Sequence, residues 1–268
     1  MKGGTDLFYA NKVAEHVKSN HTEVYFTAED GLKALEDVIY ATETWDTTTI
    51  RASVGQYIVC KYVGTKTDCR VVMVGEGPDE VCSSYMFNWY APNSEELDKC
   101  AKDLVKDLHI YDCKRSDRCI SYHGLEGRVP LLDPEVIEAY WSIPAEWRMP
   151  KYKGIEKWWL RKAFDGYDII PDEVLWRKKE AFSDGVSSKE KSWYTIIQDM
   201  CEELISDEDM AKYQAPSKEA CYFKKKFIEK FNDRTNIIPR YWLPRWNGDG
   251  QLVTQYMDPS ARVLDVYD

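Results

Sequence analysis

Long apolar runs, paired cysteines, histidine and an excess of positive charge are what this 268-residue sequence has little of. Each absence excludes a class of function. No apolar run approaches the ~18 residues that a membrane-spanning helix needs, and MKGGTDLFYANKV lacks the apolar core of a signal peptide. The eight cysteines are scattered with no CxxC pair, and there are only four histidines, which argues against a zinc site. Reduced thiols in a cytosol-like compartment follow, so a cytoplasmic location is expected, and the sequon Asn20-His21-Thr22 reads as chance. The formal charge of −10 argues against a nucleic-acid partner, which usually meets a basic field. It leaves a local anion pocket open. Repeats and low-complexity segments are absent too.

What the chain does have is aromatic residues, 10 Trp and 18 Tyr among them, and a predominance of helical periodicity. Leu7, Ala10, Val13, Ala14 and Val17 share one helix face, with Thr5 or Asp6 as N-cap. Residues 22–27 (TEVYFT) alternate as a short strand, and Thr27–Asp30 has the form of a capping box before Leu32, Leu35, Val38 and Ile39. A third helix is expected from about Thr48 to Val63. Asn93 or Ser94 should cap a helix carrying Leu97, Ala101, Leu104, Val105 and Leu108. RVPLLD (Arg128–Asp133) reads as an extended turn into a helix around Pro134–Trp141, and Ile155–Phe164 as a Trp-rich buried helix. Ser217 should cap a helix with Ala220, Phe223, Phe227 and Phe231 at helical spacing, before an irregular tail from Ile237. The coarse reading is α/β over residues 1–90 and mainly helical over 91–268.

Val74–Tyr85 (VGEGPDEVCSSY) is the most informative segment. It follows Arg70–Met73, a short apolar run that reads as a strand buried on both faces. Gly75 and Gly77 ask for special backbone angles or close approach, and Asp79-Glu80 open a helix. A strand, a glycine loop and a helix start make a place for phosphates, and Glu76, Asp79 and Glu80 within it suggest Mg²⁺. An ordinary strand–turn–helix corner with acidic caps would give the same pattern.

Three further segments invite a chemical reading, each with a plainer rival. Thr47–Arg51 could hold a carboxylate or phosphate, or be a threonine N-cap with a surface arginine. Trp176–Gly185 (WRKKEAFSDG) could aim a lysine at a phosphoryl group, or be a solvated charge run. Arg128 and Asp133 read best as a structural ion pair across a turn.

Taken together and in order, these segments resemble the synthetase domain of glutamine-dependent asparagine synthetases. The family pattern reads approximately DVTTIRAS, SGEGSDEVFGGY, YDC.RAN, GLEARVPFLD, EKW.LR.AF, WRQKEQFSDGVG and DPSAR. This chain has DTTTIRAS (46–53), VGEGPDEVCSSY (74–85), YDC (111–113), GLEGRVPLLD (124–133), EKWWLRKAF (156–164), WRKKEAFSDGV (176–186) and DPSAR (258–262). The resemblance spans nearly the whole chain, so 1–268 reads as one partial synthetase domain. It implies an α/β fold: an incomplete parallel-sheet, adenine-nucleotide α-hydrolase-like core with a predominantly helical C-terminal part.

It also implies a reaction. The family adenylates the side-chain carboxylate of aspartate with ATP and Mg²⁺, releasing pyrophosphate, and ammonia then converts the β-aspartyl-AMP to asparagine. Carried over by position, Lys179 would stabilise phosphoryl charge, Asp79 would be one Mg²⁺ ligand, and Glu76 would face the acyl-adenylate, as a base for ammonia. Gly75 would lie against the nucleotide, and Thr48, Thr49 and Arg51 would line the aspartate or pyrophosphate side.

Some family features do not occur in the sequence. Residue 2 is Lys where the glutaminase domain opens on a nucleophilic Cys, and no SGGLDSS pyrophosphate loop is found. Val74, Pro78, Ser83 and Ser84 replace two serines and two glycines, Gly127 replaces an alanine, and three extra residues fall at about Lys189–Lys191. The expectation is therefore a chain completed by a loop-bearing or glutaminase-bearing partner or an oligomer, or one that is the C-terminal part of a longer product with the loop upstream. The alternative is a non-catalytic homologue in a structural or regulatory role.

Overall fold

The computed structural model describes residues 1, 4–180 and 192–260. Its first third is three helices: α1 (Thr5–Val17), α2 (Ala28–Thr42) and α3 (Thr47–Lys66). Strand β1 (Val71–Met73), the single turn α4 (Pro78–Val81), α5 (Ser94–Asp107), α6 (Asp112–Ser121), β2 (Glu126–Arg128) and α7 (Pro134–Trp141) follow. Short helical turns then lead to Trp158–Phe164 and the turn Asp172–Leu175, followed by helices Trp193–Leu204, Asp207–Tyr213 and Lys218–Phe231 and a last turn at Thr235–Ile237.

The caps follow the sequence closely. Thr27 and Asp30 close a reciprocal capping box on α2, Asn93 accepts from Glu96 N at 2.8 Å to start α5, and Ser217 accepts from Ala220 N at 3.1 Å. Asp46 accepts from both the N–H and hydroxyl of Thr49, at 2.8 and 2.7 Å, so Asp46 rather than a threonine caps α3. α1 begins at Thr5 with Gly4 in the cap position and no side-chain cap bond. Its expected apolar face is only partly used: Ala14 is buried and Val17 is half exposed.

The main core lies where α2 and α3 meet the helices Trp193–Leu204 and Lys218–Phe231. Leu35, Val38, Ile39, Ile50, Trp193, Ile197, Phe223 and Phe227 pack there. A second cluster joins Phe87, Leu97 and Tyr111 to Trp242 and Trp246 of the tail.

The sheet has two parallel strands among the described residues, with Val71, Val72 and Met73 opposite Glu126, Gly127 and Arg128. Three expectations are corrected here. Residues 22–27 form no strand; the chain is irregular, with Glu23 tied to Asn11 and Tyr25. β1 is buried on one face only: Val72 and Val74 pack on Cys60, Ile120 and Leu125, whereas Val71 and Met73 are 51% and 74% exposed. Its partner β2, short and lacking β-branched residues, takes in Arg128, which was expected to open the RVPLLD turn.

Two more readings change. The helix at Trp158–Phe164 is shorter than Ile155–Phe164, and none of its residues is fully buried, because Trp159 and Trp158 lie in an exposed aromatic stack with Trp147 and Tyr152. Arg128 pairs with Glu126 at 2.6 Å, not with Asp133, which caps α7 by accepting from Glu135 N at 2.9 Å. Among the described residues no helix is long and apolar enough to cross a membrane.

Candidate active site

β1 delivers the chain into the loop Gly75–Gly77, and Gly77 makes the turn that places α4. Its φ is +100°, and an added Cβ would lie 2.1 Å from Leu132 Cδ2, so only glycine fits. Gly75 needs no such angle; its Cα looks into open space. α4 is one turn of four residues, too short for its dipole to carry an anion site. The electrostatics come from side chains instead.

Asp79 is their centre. Its carboxylate accepts from Lys157 Nζ at 2.5 Å, faces Lys179 Nζ at 3.5 Å and accepts from the Ser84 hydroxyl. Burial works against its charge, but the two ammonium groups outweigh it and hold the carboxyl well below the usual range. Burial likewise works against the Lys157 ammonium, and Asp79 more than restores it. Lys157 stands at φ +57° just before its helix, a left-handed position that turns its side chain back toward α4. Glu156, 3% exposed, accepts from Arg161 at 3.0 Å and from the Lys179 backbone N–H at 2.6 Å. The Glu156-Lys157 pair thus fixes both the backbone of Lys179 and the carboxylate it faces. The sequence signal was present in EKWWLRKAF, but no role was read into it.

Two cavities meet at this Asp79–Lys179 wall. The smaller, about 120 Å³, is also lined by Thr48, Arg51, Tyr85, Asp112, Arg115, Tyr194 and Trp242. The larger, about 300 Å³, adds Lys157, Arg161, Arg177 and Glu180 to apolar Leu160, Phe164, Ile170 and Leu175. Lys179 Nζ sits 5.3 Å from the centre of the Tyr85 ring, which forms part of the smaller cavity's wall. The Tyr85 hydroxyl donates to buried Glu80, whose carboxyl is pushed well up by burial and by the charges of Asp112 and Asp79.

The structure therefore brings Thr48, Arg51, Asp79 and Lys179 to one cavity, and leaves Gly75, Glu76 and Thr49 off its lining. Thr48 presents a buried hydroxyl with no hydrogen-bond partner, an orphan suited to a ligand. Thr49 is committed to Asp46. Arg51 is no surface cap residue: it is 5% exposed, with four of its five N–H donors taken up by Glu219 and Asp258 (2.7 Å to Glu219 Oε1 and 3.0 Å to each Asp258 oxygen). Glu76 accepts from Arg115 at 2.9 Å, and its carboxyl is raised by burial, which Arg115 only partly offsets. Arg177 pairs with Asp6 at 3.0 Å, so the charge run at 177–179 is drawn into the structure. Ala181–Val186, Lys189–Lys191 and Ala261–Arg262 lie outside the described residues. Among the described residues no three His, Cys, Asp or Glu side chains converge as a ready metal site.

A loop between a parallel strand and a helix turn, with a carboxylate clamped by two lysines between adjoining polar cavities, defines a site shaped for an anionic ligand. Comparison with known proteins gives this class a family. The profile of the family described as Asparagine synthase matches residues 1–104 and 91–247, and the chain belongs to that family. It is 43% identical over 274 aligned residues to the asparagine synthetase (glutamine-hydrolyzing) of Gallus gallus, 42% to that of Bos taurus and 41% to that of Homo sapiens. All of this chain is covered, but only 47% of each relative, so the chain spans about half the length of the curated relatives it matches.

Proposed function

We infer that this chain carries the aspartate-activating half of an asparagine-forming ligase. The carrying observation is Asp79 held between Lys157 and Lys179 on the wall shared by the two cavities, in a chain of the asparagine synthase family. Together the cavities reach the size of small-molecule sites, ~300–1,000 Å³, and lysines at a buried wall are what a leaving pyrophosphate requires.

In this reading aspartate lies in the smaller cavity with its β-carboxylate toward Lys179, and the Thr48 hydroxyl acquires its missing partner. The carboxylate oxygen bonds to the α-phosphorus of ATP while the α–β bridge breaks, and pyrophosphate departs with the electron pair. Lys179 and Lys157 shift from Asp79 toward the phosphoryl oxygens as that charge develops. Asp79 would then be the carboxylate free to hold Mg²⁺, which would supply charge neutralisation. Ammonia attacks the acyl carbon and AMP leaves. Glu76, raised by burial, suits the proton lost from the nitrogen, and Arg115 links it to the cavity. Arg51 positions rather than binds, its donors being held by Glu219 and Asp258.

The pyrophosphate loop is supplied by another segment or chain. The test is aspartate-dependent exchange of labelled pyrophosphate into ATP, by the chain alone and with a loop-bearing partner. Exchange with the partner that falls about 10²-fold or more in Lys179→Ala supports the reading; no exchange in either case refutes it. The second reading, a non-catalytic homologue, is favoured by one observation: Ser83 sits in a left-handed conformation, with its hydroxyl buried and unpartnered, where the family pattern has glycine.

A further inference from the structure

We propose that the cavity between α5 and the tail is a binding site for a free aromatic α-amino acid, separate from the Asp79–Lys179 cavities but built against the back wall of the smaller one. The proposal does not rest on the reading of the reaction given above. The cavity holds about 570 Å³, within the range of small-molecule sites. α5 supplies one side with Cys100, Asp103, Leu104 and Asp107. The tail supplies the other: it runs past the cavity along 240–245, reverses at Gly250, whose φ is +75°, and returns along Leu252–Tyr256. Val253 N–H donates to Arg245 O at 3.0 Å, and Asn247 Oδ1 accepts from Gln251 N at 2.9 Å, which together hold the reversal. The returning limb lies past residue 247, where the match to the family profile ends.

The lining chooses the ligand. Leu104, Leu243, Pro244 and Val253 are apolar, and Phe87, Tyr241 and Tyr256 add aromatic surface, a setting for a flat apolar body. The charges come in two matched pairs. Asp103 and Asp107, one turn apart on α5, meet Arg245 (2.8 Å from Asp103) and Arg240 of the tail. Two negative and two positive groups suit a ligand that carries both signs better than a net anion or cation. Arg240 bonds Asp107 through Nη2 and its side chain is 63% exposed, so donors of its fork remain for a second carboxylate. Asp103 is half exposed and open to an ammonium group. A carboxylate and an ammonium on one carbon, attached to a large flat apolar group, describe an aromatic α-amino acid.

The partition from the smaller Asp79–Lys179 cavity is made of aromatic rings. Phe87 lines this cavity and Tyr85 the other, with their rings stacked at 5.6 Å and 11°. Tyr241 and Trp242, neighbours in sequence, likewise line one each. Tyr256 leads two residues on to Asp258, which is bonded to Arg51. A ligand here therefore packs on the back of the smaller cavity without entering it.

The test is isothermal titration of the full chain with L-tryptophan, without ATP or aspartate. Binding with a Kd of about 1 mM or tighter is expected for a ligand of this size. Indole-3-propionate, which lacks the ammonium, and tryptamine, which lacks the carboxylate, should each bind about tenfold or more weakly than tryptophan. Arg240→Met should weaken tryptophan by about tenfold and should not weaken tryptamine, which makes no use of the arginine. The Arg240 side chain is exposed, so the variant should melt as the parent does. Amide exchange over 252–256 should slow by about threefold or more at saturating tryptophan. No binding, equal binding by either analogue, an unchanged affinity in Arg240→Met, or unchanged exchange over 252–256 would overturn the proposal. A chain that binds tryptophan but exchanges no pyrophosphate would refute the functional reading and leave this site standing.

Discussion

Replacing Arg51 by methionine isolates the energetics beneath the site. The guanidinium is 5% exposed and meets Glu219, 2% exposed, through two donors, and Asp258 through two more. Methionine keeps most of the apolar volume, so the cost is mainly that of leaving Glu219 buried without its partner. Removing one member of a buried pair typically costs about 3–5 kcal/mol. At roughly 2–4 °C per kcal/mol for a chain near this size, the melting temperature should fall by about 10 °C. The penalty has a diagnostic pH dependence. Burial already pushes the Glu219 carboxyl up and Arg51 opposes it; without Arg51 its folded-state pKa rises further above the unfolded value. A carboxyl raised in this way contributes stability that is present at low pH and lost as pH rises toward the folded-state pKa. The variant's deficit should thus shrink on going from pH 7 toward pH 5, by up to about 1.4 kcal/mol per unit. Adding Glu219→Leu should recover most of the loss, because apolar replacement of a whole buried pair is often close to neutral. Urea melts at pH 5, 6 and 7 on the parent, single and double variants decide it. A single variant within about 1 kcal/mol of the parent, or a double variant less stable than the single, refutes the reasoning.

Other expected outcomes are these. Ser83→Gly should stabilise the chain by about 1–2 kcal/mol in urea melts, because it relieves a left-handed φ of +51° and removes an unpartnered buried hydroxyl; a destabilised variant would show that the serine is used. Gly77→Ala should cost about 2–4 kcal/mol, since its Cβ would collide with Leu132 at an unfavourable φ, and a melting curve like the parent's would disprove that account. The Asp46 carboxyl, buried and only partly compensated by the Thr49 and Trp242 donors, should titrate at about 6 by carbon NMR. Its own contribution to stability is therefore greatest below pH 4 and declines by about 3 kcal/mol as pH rises through 6; a midpoint near 4 would contradict it.

What was legible in the sequence was what depends on local spacing. The caps at Thr27, Asn93 and Ser217, the periodic faces of α2 and α5 and the Phe-rich helix at 218–231 all use contacts three or four residues apart. The strands were harder. Residues 22–27 have strand-like alternation, but no neighbour pairs with them, and β2 is built from Glu-Gly-Arg, whose composition says turn. Pairing across some 55 residues decides both, and periodicity does not carry it. At the site, the special backbone angle expected of the glycine loop is found at Gly77, and the fold brings Lys179 to Asp79. Lys157 escaped notice because its closeness to Asp79 depends on a left-handed residue 78 positions away, and Arg51 looked like a surface cation because Glu219 and Asp258 reach it only through the fold.

That last point bears on how the site is set. A chain folded around Arg51–Glu219–Asp258 and Glu156–Lys179 keeps its polar framework satisfied without any ligand. The Asp79 cluster differs: two lysines share one carboxylate, with an excess of one positive charge within 4 Å. Two ammonium groups that share one carboxylate repel each other, more strongly in a partly buried setting than in water. An incoming polyanion would remove that repulsion, and a second cation on Asp79 would take over the role the lysines give up. The framework therefore carries the stability and the cluster the binding, which is why Arg51→Met should lower the melting temperature sharply while Lys157→Met should mainly weaken retention of polyphosphate. Isothermal titration with inorganic pyrophosphate on parent and Lys157→Met protein measures the second half of that contrast; equal affinities would show that Lys157 serves only to hold Asp79.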